Sequence, residues 1–262
     1  MKKNRIEIEG DVPPSQDAPE VCPICLGTGV VVKNDEDGVG YARHCMCIND
    51  VINSDPLNRA GVPAQFRHCR LESFAPMGDD SLRYARDIAL RFAKLYPNVH
   101  MGLMFQGPPG VGKTHLAVGV LKALVETKNI NCMFFDFADL LIELRASFND
   151  PGISEAVILE PLRDIDVLLI DDLGAMKISD WTMDILSHVI NNRYKSGKLL
   201  LVTTNFMDRD AGIKTQSLEE RIGTPLRSRL YEMCKLVEIH GDDFRKNQKK
   251  DMPLMRDPKL DE

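Results

Sequence analysis

Gly107-Pro108-Pro109-Gly110-Val111-Gly112-Lys113-Thr114-His115 decides the fold. It follows the apolar run Met101–Gln106 and opens a stretch, Lys113–Thr127, whose apolar residues recur at helical spacing. Glycines at this spacing let backbone N–H groups turn inward around phosphates, and the N-terminus of the helix adds a favourable dipole. Lys113 is placed to reach the β- and γ-phosphates, the Thr114 hydroxyl to ligate magnesium, and His115 ends the stretch expected to meet the nucleotide. The bland alternative is a glycine-rich turn with a chance lysine. The strand before, the helix after and the complete spacing oppose it, so ATP and Mg2+ are the expected ligands.

Working outward, the chain from Val99 alternates short apolar runs with helical patterns, as in a parallel sheet covered on both faces. The expected strands are His100–Gln106, Asn131–Phe137, Val167–Asp171, Leu199–Thr204 and Lys235–His240. The expected helices are Lys113–Thr127, Ala138–Phe148, Ser154–Arg163 and Asp180–Lys195, with an earlier one over Ser81–Leu95. Parallel strands end on the ligand side of the sheet. Val167-Leu-Leu-Ile-Asp171-Asp172 therefore sets Asp171 beside the metal and Asp172 where it can orient or deprotonate the attacking water. Asn205, ending Leu199-Leu-Leu-Val-Thr-Thr-Asn, is chosen to sense the γ-phosphate. Later, Arg221, Arg227 and Arg229 are rivals for an arginine that acts across a subunit interface, and a solvated helix face explains them too.

The rest of the sequence bounds the class. A chain of 262 residues with 44% hydrophobic and 27% charged residues is ordinary for a globular protein. No apolar run reaches membrane-spanning length and the N-terminus has no signal-like apolar segment, so a cytoplasmic protein without membrane contact is expected. A net charge of −6 argues against an overall basic surface but leaves room for a local basic stripe. Residues 1–20 are polar and read as disordered; 21–57 hold a small module and linker, 58–245 the nucleotide-binding domain and 246–262 a charged tail. Two close pairs among the seven cysteines, Cys22 with Cys25 and Cys45 with Cys47, make a four-thiolate site of the kind zinc prefers. An iron–sulfur cluster could use the same thiolates, and His44 could stand in for one of them. Cys69, Cys132 and Cys234 read as ordinary buried thiols.

With these elements in this order the chain resembles AAA+ ATPases, specifically the DnaC/IstB-type branch. The resemblance covers about residues 58–245 and rests on Gly107–Ala117, Leu168–Gly174, Thr203–Asn205, Ser228–Tyr231 and the lead-in Gly61-Val-Pro-Ala-Gln-Phe66. It implies a five-stranded sheet of order 5-1-4-3-2, ATP-bound homo-oligomers, an adenine pocket with Phe66 and Phe74 as candidate walls, and Arg229 as the finger. The helix pair between strands two and three resembles the element with which initiator-type members grip single-stranded DNA. The branch implies a loader that binds a replicative helicase and places it on single-stranded DNA, the cysteine module serving as the docking part. A transposition helper of the IstB type and a P-loop kinase for a small metabolite are the rival readings. Too few residues follow the last strand for a helical lid, so no arginine is expected from one.

Overall fold

The structure is a computed structural model, and it describes residues 30–34, 40–44, 55–76, 79–142, 162, 165–176, 179–208 and 216–245. The chain divides between Ser54 and Asp55 into two compact units. In the first, β1 (Val30–Asn34) and β2 (Gly40–His44) pair antiparallel, with Val30 opposite His44 and Asn34 opposite Gly40. Cys22, Cys25, Cys45 and Cys47, the expected zinc ligands, lie outside the described residues.

The second unit is built on a parallel sheet. After the short helix α1 (Pro56–Arg59) and the 3-10 turn Ala64–Phe66 come α2 (Asp80–Leu95), β3 (Gly102–Gln106) and α3 (Lys113–Lys128). Then follow β4 (Cys132–Asp136), β5 (Val167–Asp171), α4 (Asp180–Lys195) and β6 (Leu199–Thr204). The domain closes with α5 (Leu218–Ile222), α6 (Thr224–Met233) and β7 (Cys234–Glu238). The strands lie in the order β4-β5-β6-β3-β7, which is 5-1-4-3-2 read from the other edge and counted within the domain.

Alternation along each strand explains the two layers of helices. Leu103, Phe105, Leu169 and Leu201 point to one face, where Ala85, Ala89 and Phe92 of α2 and Leu116, Val120 and Leu124 of α3 cover them. Met104, Leu168, Ile170, Leu200 and Val202 point to the other, against Ile185, Leu186, Val189 and Ile190 of α4 and Leu226 and Leu230 of α6. Local caps set the helix starts: Asp79 accepts from the Ser81 N–H, Ser179 from that of Thr182, and Ser217 with Glu220 forms a reciprocal capping box. Residues 137–142 open a helix after β4, capped by Asp136 through the Ala138 N–H at 2.8 Å. The remainder of the expected pair, to residue 163, lies almost wholly outside the described residues. No helix among the described residues is long and apolar enough to cross a membrane.

A fully buried arginine organises the edge of the sheet where β5 and β6 begin. Arg193 of α4 donates through one terminal nitrogen to the carbonyls of Leu162 and Ile165, both at 2.8 Å, and through the other to those of Asp166 (3.2 Å) and Leu199 (2.6 Å). Burial lowers its pKa to about 10, still charged at neutral pH. Arg193→Met should therefore strand buried carbonyls and lower stability by about 3 kcal/mol, read as a shift of the urea midpoint at unchanged slope.

Candidate nucleotide site

The strand ends carry the chemistry. Asp136 stands opposite Asp171 and Gln106 opposite Thr204 at the C-terminal ends of four neighbouring strands. The glycine-rich loop leaves β3 there and turns back into α3. Gly110 and Gly112 hold φ of +81° and +98°, a left-handed backbone that turns the loop inward. A Cβ at Gly112 would sit 2.6 Å from the Phe74 ring, so the loop packs too closely for any side chain there. Phe74 is thus against the loop, while Phe66, the other proposed wall, packs on Phe134 of β4 at 6.0 Å between ring centroids.

The predicted polar residues converge. The Thr114 hydroxyl donates to Asp171 at 2.9 Å, and the Thr203 hydroxyl donates to the same carboxylate at 2.6 Å. Lys113 Nζ donates to the Pro108 carbonyl and to Asn205 Oδ1, both at 2.7 Å. The Asn205 amide in turn donates to Asp172. Asp172 adopts φ +53°, a left-handed conformation that aspartate tolerates better than most residues, and its N–H is held by Thr203 Oγ1 at 2.8 Å. Thr203 opens the Thr203–Asn205 motif, but sequence reading gave it no task of its own.

Electrostatics follow from burial. Burial pushes the Asp171 carboxyl up, opposed by the hydroxyls of Thr203 and Thr114. Burial also raises Asp172, opposed mainly by Lys113. Asp136 adds its own charge to both. The Lys113 ammonium is pushed down to about 8, chiefly by burial, with Asp172 and Asp171 pulling the other way. Two or three clustered carboxylates, a hydroxyl, one lysine and an inward-turned loop are a donor set that fits a triphosphate with a hard divalent cation such as Mg2+.

The segment after β7, too short for the helical lid that the sequence ruled out, joins this site directly. The Phe244 N–H donates to the Gly110 carbonyl at 3.1 Å, and a Cβ at Gly110 would meet Asp243 Oδ1. Arg245, paired with Asp243 at 3.0 Å, lies near enough to act on the charges of both Lys113 and Asp172. No motif in the sequence marks it. The three arginine rivals occupy different places. Arg221 stacks on Phe206 at 4.4 Å and Arg227 pairs with Asp208. Arg229 lies over Tyr194 at 4.1 Å and donates to Asn191 at 3.1 Å and to Glu232, on the α4–α6 surface. His115 Nε2 donates to the Arg70 carbonyl (2.9 Å), and its ring stands edge-on to Phe74 at 5.4 Å.

Comparison with known proteins gives the family and the fold. The family model described as IstB-like ATP binding protein matches residues 83–252. The uncharacterized protein YqaM of Bacillus subtilis (strain 168) is 26% identical over 221 residues, 80% of this chain and 67% of that one. The replicative helicase loader DnaC of Escherichia coli (strain K12) is 24% identical over 148 residues, 56% of this chain and 60% of the loader. A crystal structure of the DnaC helicase loader superposes with a TM-score of 0.60 and 32% identity, covering 68% of this chain and all of that one.

The depressed Lys113 pKa gives a testable pH dependence. The ammonium must be charged to bind phosphate, and in the free chain it loses its proton as pH rises through about 8. ATP affinity should fall from about pH 7 to about pH 9, approaching tenfold per unit at the alkaline end. Lys113→Arg, which does not deprotonate in this range, should flatten the profile. Calorimetric titration at several pH values reads both slopes.

Proposed function

The chain belongs to the family of IstB-like ATP binding proteins and is an ATPase of AAA+ type; from that premise we propose that it loads a replicative helicase onto single-stranded DNA. The observation that carries this reading is the 32% identity with a DnaC helicase loader whose solved chain is covered completely. The family's own description names IstB, which keeps the transposition-helper reading as the second. A small-metabolite kinase gains no support from the family.

In this reading each site residue has a task. Bound ATP and Mg2+ supply the phosphoryl group and the charge that neutralises it. Thr114 and Asp171, joined at 2.9 Å, are the residues that would hold the cation. Lys113, which now donates to Asn205 Oδ1, would bind phosphate oxygens, and Asn205 would then be released to sense the γ-phosphate. Asp172, held by Asn205 and by the Thr203 hydroxyl through its N–H, receives the proton of the attacking water or aligns it. Arg229 sits on the α4–α6 surface, where a second copy in an ATP-bound oligomer could present its γ-phosphate to it. The cysteines Cys22, Cys25, Cys45 and Cys47 bind zinc and dock the helicase in this proposal.

Three measurements test it. Asp172→Asn should keep ATP binding and lose at least about a hundredfold in turnover, because a positioned base contributes that much. An equal mixture of Arg229→Ala and Lys113→Ala chains should regain ATPase activity that neither has alone; a mixture that stays silent although the chains associate makes Arg229 structural. Purified replicative helicase from the host should bind the wild type with ATP, and Cys22→Ser with Cys25→Ser should abolish that binding while ATP affinity stays within about twofold. Binding to a transposase in place of the helicase would transfer the reading to the transposition helper.

A further inference from the structure

The segment entering the domain from α1 is fastened along one side of α3. Lys122 of α3, itself buried, donates to the Arg67 carbonyl, and Arg70 pairs with Glu126 at 3.0 Å. Between these anchors the chain carries His68 and Cys69 beside His115, with the two imidazole centroids 6.2 Å apart. The Cys69 sulfur lies 3.8 Å from His68 Nε2. One ligand atom from each of His68, Cys69 and His115 lies within 4.8 Å of the other two.

We propose that His68, Cys69 and His115 form a transition-metal site of the zinc class, distinct from the N-terminal cysteines. A tetrahedral zinc with nitrogen and sulfur bonds of about 2.0–2.3 Å holds its ligand atoms roughly 3.5 Å apart. The His68–Cys69 pair is nearly at that spacing already, and side-chain rotation closes the rest. Two imidazoles and a thiol select zinc or its soft neighbours over magnesium or calcium. The Arg70 carbonyl takes the Nε2–H of His115 at 2.9 Å, which leaves Nδ1 with the lone pair that a metal needs. Cys69 is buried, His115 half-buried and His68 exposed, so the site opens on one side and a water completes the fourth position. Burial pushes the unliganded Cys69 thiol up to about 11; the metal displaces that proton on binding. The site bridges the lead-in and α3 next to Thr114, where the His115 ring also stands against Phe74.

Cobalt(II) reads the site directly. In the full chain with Cys22, Cys25, Cys45 and Cys47 all changed to serine, Co2+ should bind at one equivalent and give a near-ultraviolet thiolate-to-cobalt band. Adding Cys69→Ser should remove the band, and adding His68→Ala should weaken binding by about tenfold or more. Cys132→Ser, a buried thiol elsewhere, should leave the band intact. No band in the four-serine chain, or one indifferent to Cys69→Ser, overturns the proposal and returns Cys69 to the ordinary buried thiols. Should the four-serine chain fail to fold, the wild type decides. His68 is exposed, so His68→Ala keeps the fold; it should lower bound metal by one equivalent, and unchanged metal content overturns the site.

Discussion

The carboxylate of Asp171 is the joint on which the site depends. It ends β5 almost wholly buried, where an unpartnered charge would be costly, and it is satisfied by hydroxyls from two other elements. Thr114 ties it to the start of α3, and Thr203 ties it to β6. Through Thr203 the same joint fixes the backbone of Asp172 in its left-handed turn. Remove the carboxylate and three separate features lose their common reference: the pitch of the phosphate helix, the spacing of two strand ends and the aim of the second aspartate.

Opposite this polar end the sheet is held differently. Where β5 and β6 begin, Arg193 gathers four carbonyls with one planar group, doing for loose chain what strand pairing does for the sheet. The two ends are complementary. One presents carboxylates and hydroxyls that a cation can reorganise, and the other is locked by a charge that stays inside. The ligand side is also where Lys113 is held, by Asn205 and the Pro108 carbonyl.

Much of this was legible in the residues, for physical reasons. Apolar runs of five or six residues ending in polar ones announce buried parallel strands, so Val167–Asp171 and Leu199–Thr204 have the same limits in sequence and structure. The glycine spacing places Lys113 and Thr114 without any tertiary information. Contacts between elements were not legible. Thr203 becomes important only because β5 and β6 are neighbours, and Arg245 only because β7 lies beside β3. His68 and His115 are far apart in sequence, and nothing local marks them as partners. Arg193 reads as a polar residue in an amphipathic helix, since no pattern distinguishes a solvated arginine from one that collects carbonyls inside.

The last strand carries a consequence for how the protein is made. β7 pairs with β3, Ile239 donates to the Gln106 carbonyl, and the residues just beyond it rest on Gly110. The wall of the nucleotide pocket is thus supplied by chain synthesised well over a hundred residues after the loop it covers. While the ribosome is still threading β7 through its exit tunnel, β3 is an open edge and the phosphate loop lacks that side. The phosphate loop therefore reaches its final setting only with the closing strand.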